Sequence, residues 1–159
     1  MNFHSSSAAA HSLLDDFSTS HANEAEQTVL NAVRTWLRPR CDAQGRNGNW
    51  RDVLTEAGLS VDGMLYFDLL MRLLRRCAYR RIDTRCRCAS DLAKDEASLL
   101  QTIALLQRVR GDAAVELLND WLPEWAVSGV LKIVRWFAIA LLDAGLVIQV
   151  RSRRVTYMH

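Results

Sequence analysis

Four cysteines are the residues of this chain best suited to specific chemistry. Cys77, Cys86 and Cys88 form a C-x8-C-x-C arrangement, and Cys41 can add a fourth thiol. On a strand, Cys86 and Cys88 would point to one face about 6 to 7 Å apart. Two thiolates could then approach one Zn²⁺, with Cys41 and Cys77 arriving from neighbouring turns. The spacing is not that of the familiar C-x2-C zinc modules. All four histidines, His4, His11, His21 and His159, lie near the ends of the chain, so none is placed to complete such a site. Cysteine is also among the residues most often buried. Plain packing is therefore the favoured reading, with a four-cysteine structural zinc site second and a redox dithiol third. No cofactor is otherwise expected.

The second candidate is a run of seven arginines within sixteen residues: Arg72, Arg75, Arg76, Arg80, Arg81, Arg85 and Arg87, opposed inside the run only by Asp83. Guanidinium groups make planar, two-pronged contacts with phosphate and carboxylate. The run thus reads either as a solvated face paired with local acids or as a contact surface for an anionic macromolecule. Tail acids such as Asp15 and Asp16 could also mask it. A third feature, Trp50 to Arg76, has the outline of a helix-turn-helix, with Gly58 as the turn and Ser60 opening the second helix. That second helix carries Met64, Leu65, Phe67, Leu69 and Leu70 where a recognition helix needs polar groups, and its arginines come at the far end. Ordinary helix packing is favoured over DNA reading. No nucleophile elbow, glycine-rich phosphate loop or H-E-x-x-H is present, and no histidine in the body of the chain can act as a base.

The elements that must position these residues are mainly helices. Asn23 with Glu26 three residues on resembles a capping box, and Val29, Leu30, Val33, Trp36 and Leu37 then keep helical spacing, predicting a helix over 24–38 that stops before Pro39. A short helix over 50–57 should end at Gly58, and Ser60 should cap one over 61–77. Over 80–88 the period becomes two, Arg81, Asp83, Arg85 and Arg87 alternating with Ile82, Thr84, Cys86 and Cys88, which predicts a half-buried strand. Helix returns from Asp95 to Val109. Asp112 is expected to cap the next helix, which Pro123 interrupts. Residues 126–143 are so apolar that they predict the most buried helix, with Gly145 closing it and 146–151 as a second strand paired to 80–88. Trp121 suits the core, whereas Trp125 and Trp136 suit either packing or an interface.

Length and composition bound the rest. At 159 residues, half of them apolar, the chain suits one domain. The longest uninterrupted apolar run, Trp136 to Leu142, is seven residues, far short of the roughly 20 of a membrane span, so no membrane association is expected. The net charge of +2 conceals a partition. Residues 1–33 hold four acids and no Lys or Arg, residues 34–87 twelve arginines against six acids, residues 88–150 five bases against eight acids, and residues 151–159 three arginines. Only Lys94 and Lys132 of the twenty cations are lysines. Few cysteines and no secretory pattern in the first residues favour the cytoplasm.

The expected protein is therefore a single, mainly α domain of five or six helices over 24–151 with a minor two-stranded element. It lies between a loose acidic tail, 1–23, in which Leu13, Leu14 and Phe17 could form a docking helix, and a basic end, 152–159. Its expected function is that of a non-enzymatic binding or regulatory module whose Arg72 to Arg87 face contacts an acidic partner, a protein in preference to nucleic acid, with a homo-oligomer also open. A zinc protein and a helix-turn-helix protein are the rivals.

Overall fold

The computed structural model describes residues 23–40 and 48–151. Cys41, the tail with Leu13, Leu14 and Phe17, and residues 152–159 lie outside them. Among the described residues six helices follow one another: α1 Glu24–Leu37, α2 Trp50–Glu56, α3 Val61–Cys77, α4 Lys94–Gln107, α5 Gly111–Asn119 and α6 Glu124–Asp143. The mainly α class is therefore as expected.

Local signals explain where the helices start. The Asn23 side chain accepts the Glu26 N–H at 2.8 Å, and the Ser60 hydroxyl accepts the Gly63 N–H at 3.1 Å, each satisfying a donor that a helix start leaves open. Glu26 does not return the bond as a capping box would. It accepts instead from the Arg151 guanidinium, 125 residues later in the chain. Asp112 is not a cap but lies in the first turn of α5, behind Arg110.

Three helix ends share one closure. Gly58 and Gly145 take positive φ, and the next residues donate back across the last turn, Leu59 to Leu54 and Leu146 to Leu141. The end of α4 repeats this pattern with Arg110 donating to Leu105, but the left-handed residue there is Val109, at φ 60. A β-branched side chain in that region is strained. The helix accordingly stops at Gln107, and Val109 points to solvent at 91% exposure rather than joining the apolar stripe.

The core sits where α3, α4 and α6 meet, with α1 and α2 closing one side and α5 another. Phe67 of α3 lies 5.4 Å from Phe137 of α6 and 5.2 Å from Trp50 of α2. A Cβ on Gly63 would come within 2.9 Å of the Ala140 Cβ, so a glycine allows α3 and α6 to approach. The most buried helix is α4, in which only Lys94 is exposed, and not α6. By length and composition α6 could cross a membrane, yet 44% of its most apolar stretch is buried in the bundle. Its remaining surface includes exposed Trp125, Trp136, Ile139 and Leu142. Apolarity on all sides reads as burial on all sides, but among the described residues only one side of α6 has neighbours.

The two-stranded element is absent among the described residues; 81–86 and 146–151 form neither helix nor ladder, and the first stretch ends in a turn at Arg87 and Cys88, closed by the Ala89 N–H on the Cys86 carbonyl. Their backbones are satisfied by side chains instead. The Gln107 carboxamide donates to the Leu146 carbonyl at 2.9 Å and accepts the Ile148 N–H at 2.8 Å, as a neighbouring strand would. Gln101 does the same with the carbonyl and N–H of Arg151, and Arg108 donates to the Ile148 carbonyl. In the other segment, Arg38 donates to the Thr84 carbonyl, Arg34 to those of Ala89 and Asp91, and the Asp95 carboxylate accepts the Asp83 N–H. Once these groups are bonded, no ladder is needed.

Candidate functional site: an arginine-rimmed cleft

The arginine run begins on α3 and continues to Arg87 in the helix-free segment 78–93, so its geometry depends on what anchors that segment. The anchor is a buried ion pair. Arg34 of α1 places Nε 2.6 Å and Nη2 2.9 Å from the Glu96 carboxylate, whose second duty is to accept the Ala93 N–H at 2.9 Å. Both side chains are nearly inaccessible. With its two carbonyl acceptors, Arg34 is well satisfied, which a buried cation requires. Glu96 raises the Arg34 pKa further above its usual value through their hydrogen bond, against the opposing effect of burial. A second clamp joins Arg80 to Asp95 at 2.6 and 2.9 Å. The Arg80 guanidinium holds the Asp95 carboxyl below its ordinary range; burial opposes this, and the Asp83 N–H assists.

These restraints distribute the seven arginines unequally. Arg72 pairs with Asp68 at 3.0 Å, and it and Arg76 lie on the exposed face of α3. Arg75 lies over the Trp36 ring at 5.1 Å, while the Trp36 indole donates to Asp68 at 2.9 Å. Arg85 pairs with Asp91 at 3.0 Å. Arg81 is exposed and makes no ion pair among the described residues. Arg87 does not join an outer strand face. Its guanidinium packs against Gly48, with Nε and Nη1 buried and without a hydrogen-bond partner.

Three of the predicted arginines, Arg75, Arg80 and Arg81, converge with Arg38 on a cleft of 610 Å³. Its apolar lining comes from Leu37, Leu74, Ala78 and Ile82, and Tyr79, 69% exposed, stands beside it. Arg38 and Tyr79 escape a reading of the run because neither signals itself. Arg38 belongs to the end of another helix, and Tyr79 is one aromatic at a helix exit, fixed by an N–H donated to the Trp121 carbonyl. A second cleft, of 600 Å³, lies on the α4 side of Arg80, but there Lys94 and Arg151 face Asp95 and Asp120. Its mixed charge selects no sign of ligand.

The cysteines are not brought together in the described region. Cys77 and Cys86 are half-buried, Cys88 is exposed, and none is in a disulfide. Among the described residues no group of three or more His, Cys, Asp or Glu is placed to hold a metal ion. Cys41 lies outside those residues, so the four-cysteine arrangement is not represented as a set. Comparison with known proteins adds no identity: no protein-family model, no curated protein and no solved structure matches this chain.

Proposed function

We propose that the protein is a non-enzymatic binding or regulatory module, and that the cleft between the ends of α1 and α3 and residues 78–84 receives an acidic segment of a protein partner. The observation that carries this reading is the joint lining of the cleft by Arg38, Arg75, Arg80 and Arg81 together with the aliphatic Leu37, Leu74, Ala78 and Ile82, with Arg80 held in place by Asp95. Carboxylates answer the first through charge-assisted hydrogen bonds, and one apolar or aromatic side chain answers the second. A nucleic-acid backbone would use the charge but leave the apolar floor unfilled. The exposed face of α3 also supports the choice of protein, because Val61, Leu65 and Leu69 offer nothing to base edges.

The test compares wild type with an Arg38→Glu, Arg75→Glu, Arg81→Glu variant, which spares the Arg80 and Arg34 clamps. A partner retained by wild type should be lost from the variant and released by a short acidic-aromatic competitor peptide. Identical partner lists would refute the role of the cleft. Titration with mixed duplex and single-stranded nucleic acid should give weak binding. Micromolar affinity falling steeply with salt would replace the protein partner by a polyanion.

A further inference from the structure

The exposed stripe of α3 is ordered by charge along its length. Asp62 stands at its start, Leu65 (62% exposed) and Leu69 (42%) in the middle, and Arg72 and Arg76 toward its end. Alongside it α6 runs in the opposite direction, since Gly63 meets Ala140, Tyr66 stacks on Trp136 at 5.9 Å and Phe67 meets Phe137. Helical spacing then places exposed Asp143 beside the Asp62 end and exposed Lys132 beside the Arg72 end. Trp136 (46%) and Ile139 (41%) continue the apolar middle. The two-helix face is thus acidic at one end, apolar at the centre and basic at the other.

We infer that this face is an isologous interface with a second copy of the chain. A two-fold axis in the plane of the face and across the helices lays α3 on α3 and α6 on α6, each pair antiparallel. Acidic ends then meet basic ends, as an isologous contact requires. With the axis level with Trp136, Leu65 of one copy meets Leu69 of the other, and Asp62 meets Arg72 about 15 Å along the helix from its own copy's Arg72. The apolar centre leaves water, and complementary charges set the register. A lipid surface fits less well, because interfacial helices carry basic rather than acidic flanks. The inference does not rest on the cleft.

Sedimentation of the full chain over a dilution series tests it. Wild type should sediment at twice the 18.0 kDa chain mass. Leu69→Arg should yield a monomer with unchanged helix content. Asp62→Arg and Arg72→Glu should each weaken the dimer about tenfold by opposing like charges, and the double variant should recover affinity because both ends are exchanged together. A wild type that stays monomeric at tens of micromolar overturns the inference. So does a dimer indifferent to Leu69→Arg, or a double variant weaker than either single one. A monomeric wild type that floats with anionic vesicles would assign the face to membrane instead.

Discussion

Residues 80–88 and 146–151 both read as strands by sequence and neither pairs in a ladder among the described residues, yet the segments that carry them, 78–93 and 146–151, are tied down by different chemistry. The first is held by ionised groups: Arg34 with Glu96, and Arg80 with Asp95. The second is held mostly by neutral carboxamides, Gln101 and Gln107, with Arg108 adding one bond and a single ion pair, Arg151 with Glu26, at its end. Charged tethers give strong, directional bonds but leave a costly unpaired charge if one partner is lost. Amide tethers copy the geometry of a strand neighbour at a smaller cost on removal. The segment carrying the candidate cleft is therefore expected to depend on pH and salt more than the one that closes the core over Ile148.

The largest effect should come from Glu96→Ala, which strands buried Arg34 and releases the Ala93 N–H. A loss of about 3 to 5 kcal/mol is expected in denaturant unfolding. A loss below about 1 kcal/mol would remove the distinction between the two tethers. Next comes Gln107→Ala, which leaves the buried Ile148 N–H unpaired and should cost about 1 to 3 kcal/mol. Amide exchange should quicken at 146–151 while the amides of 78–93 keep their rates. A smaller change of opposite sign is expected from Val109→Gly. Relief of the left-handed valine should raise stability by about 1 kcal/mol without altering exchange at 146–151, because Gln107 and Arg108 are untouched.

The smallest expected effect is that of acid below the ordinary Asp value of 3.8. The unfolded chain protonates Asp95 near its ordinary value of 3.8, and the folded chain does so lower. The stabilisation from this group is complete above that value and fades as pH falls through it toward the folded value. Exchange at Asp83 should quicken across that window, and Asp95→Asn should abolish the change. Exchange at Ile148 should not follow the same titration; if it does, the two segments open as one unit.

Most helix ends were legible to within a residue or two because their signals are local, but α5 stops at Asn119, short of the Pro123 expected to interrupt it. Asn23, Ser60, Gly58 and Gly145 act within one turn of where they stand. The end of α4 was less legible, since a valine occupies a position that ordinarily calls for glycine. The strands were misread for a different reason. Alternation reports which side chains face inward, not what bonds the backbone, and the bonding groups here lie 40 to 50 residues away for Gln107 with Ile148 and Gln101 with Arg151. The candidate site was legible as a cluster of arginines but not as a cleft. Burial of Arg34 and recruitment of Arg38 follow from how α1 packs beside α4 and residues 78–93, and removal of Arg87 from its approach to Gly48 ahead of α2.

From sequence alone come the mainly α class, the helix starts and the uneven distribution of charge, because periodicity, caps and composition act over short distances. Tertiary structure alone decided which arginines share a surface, which stripe of α6 lacks a neighbour, and that two strand-like segments would be held by side chains rather than by each other. Those outcomes depend on contacts between residues far apart in the chain, where burial makes each hydrogen bond and each unpaired charge count most.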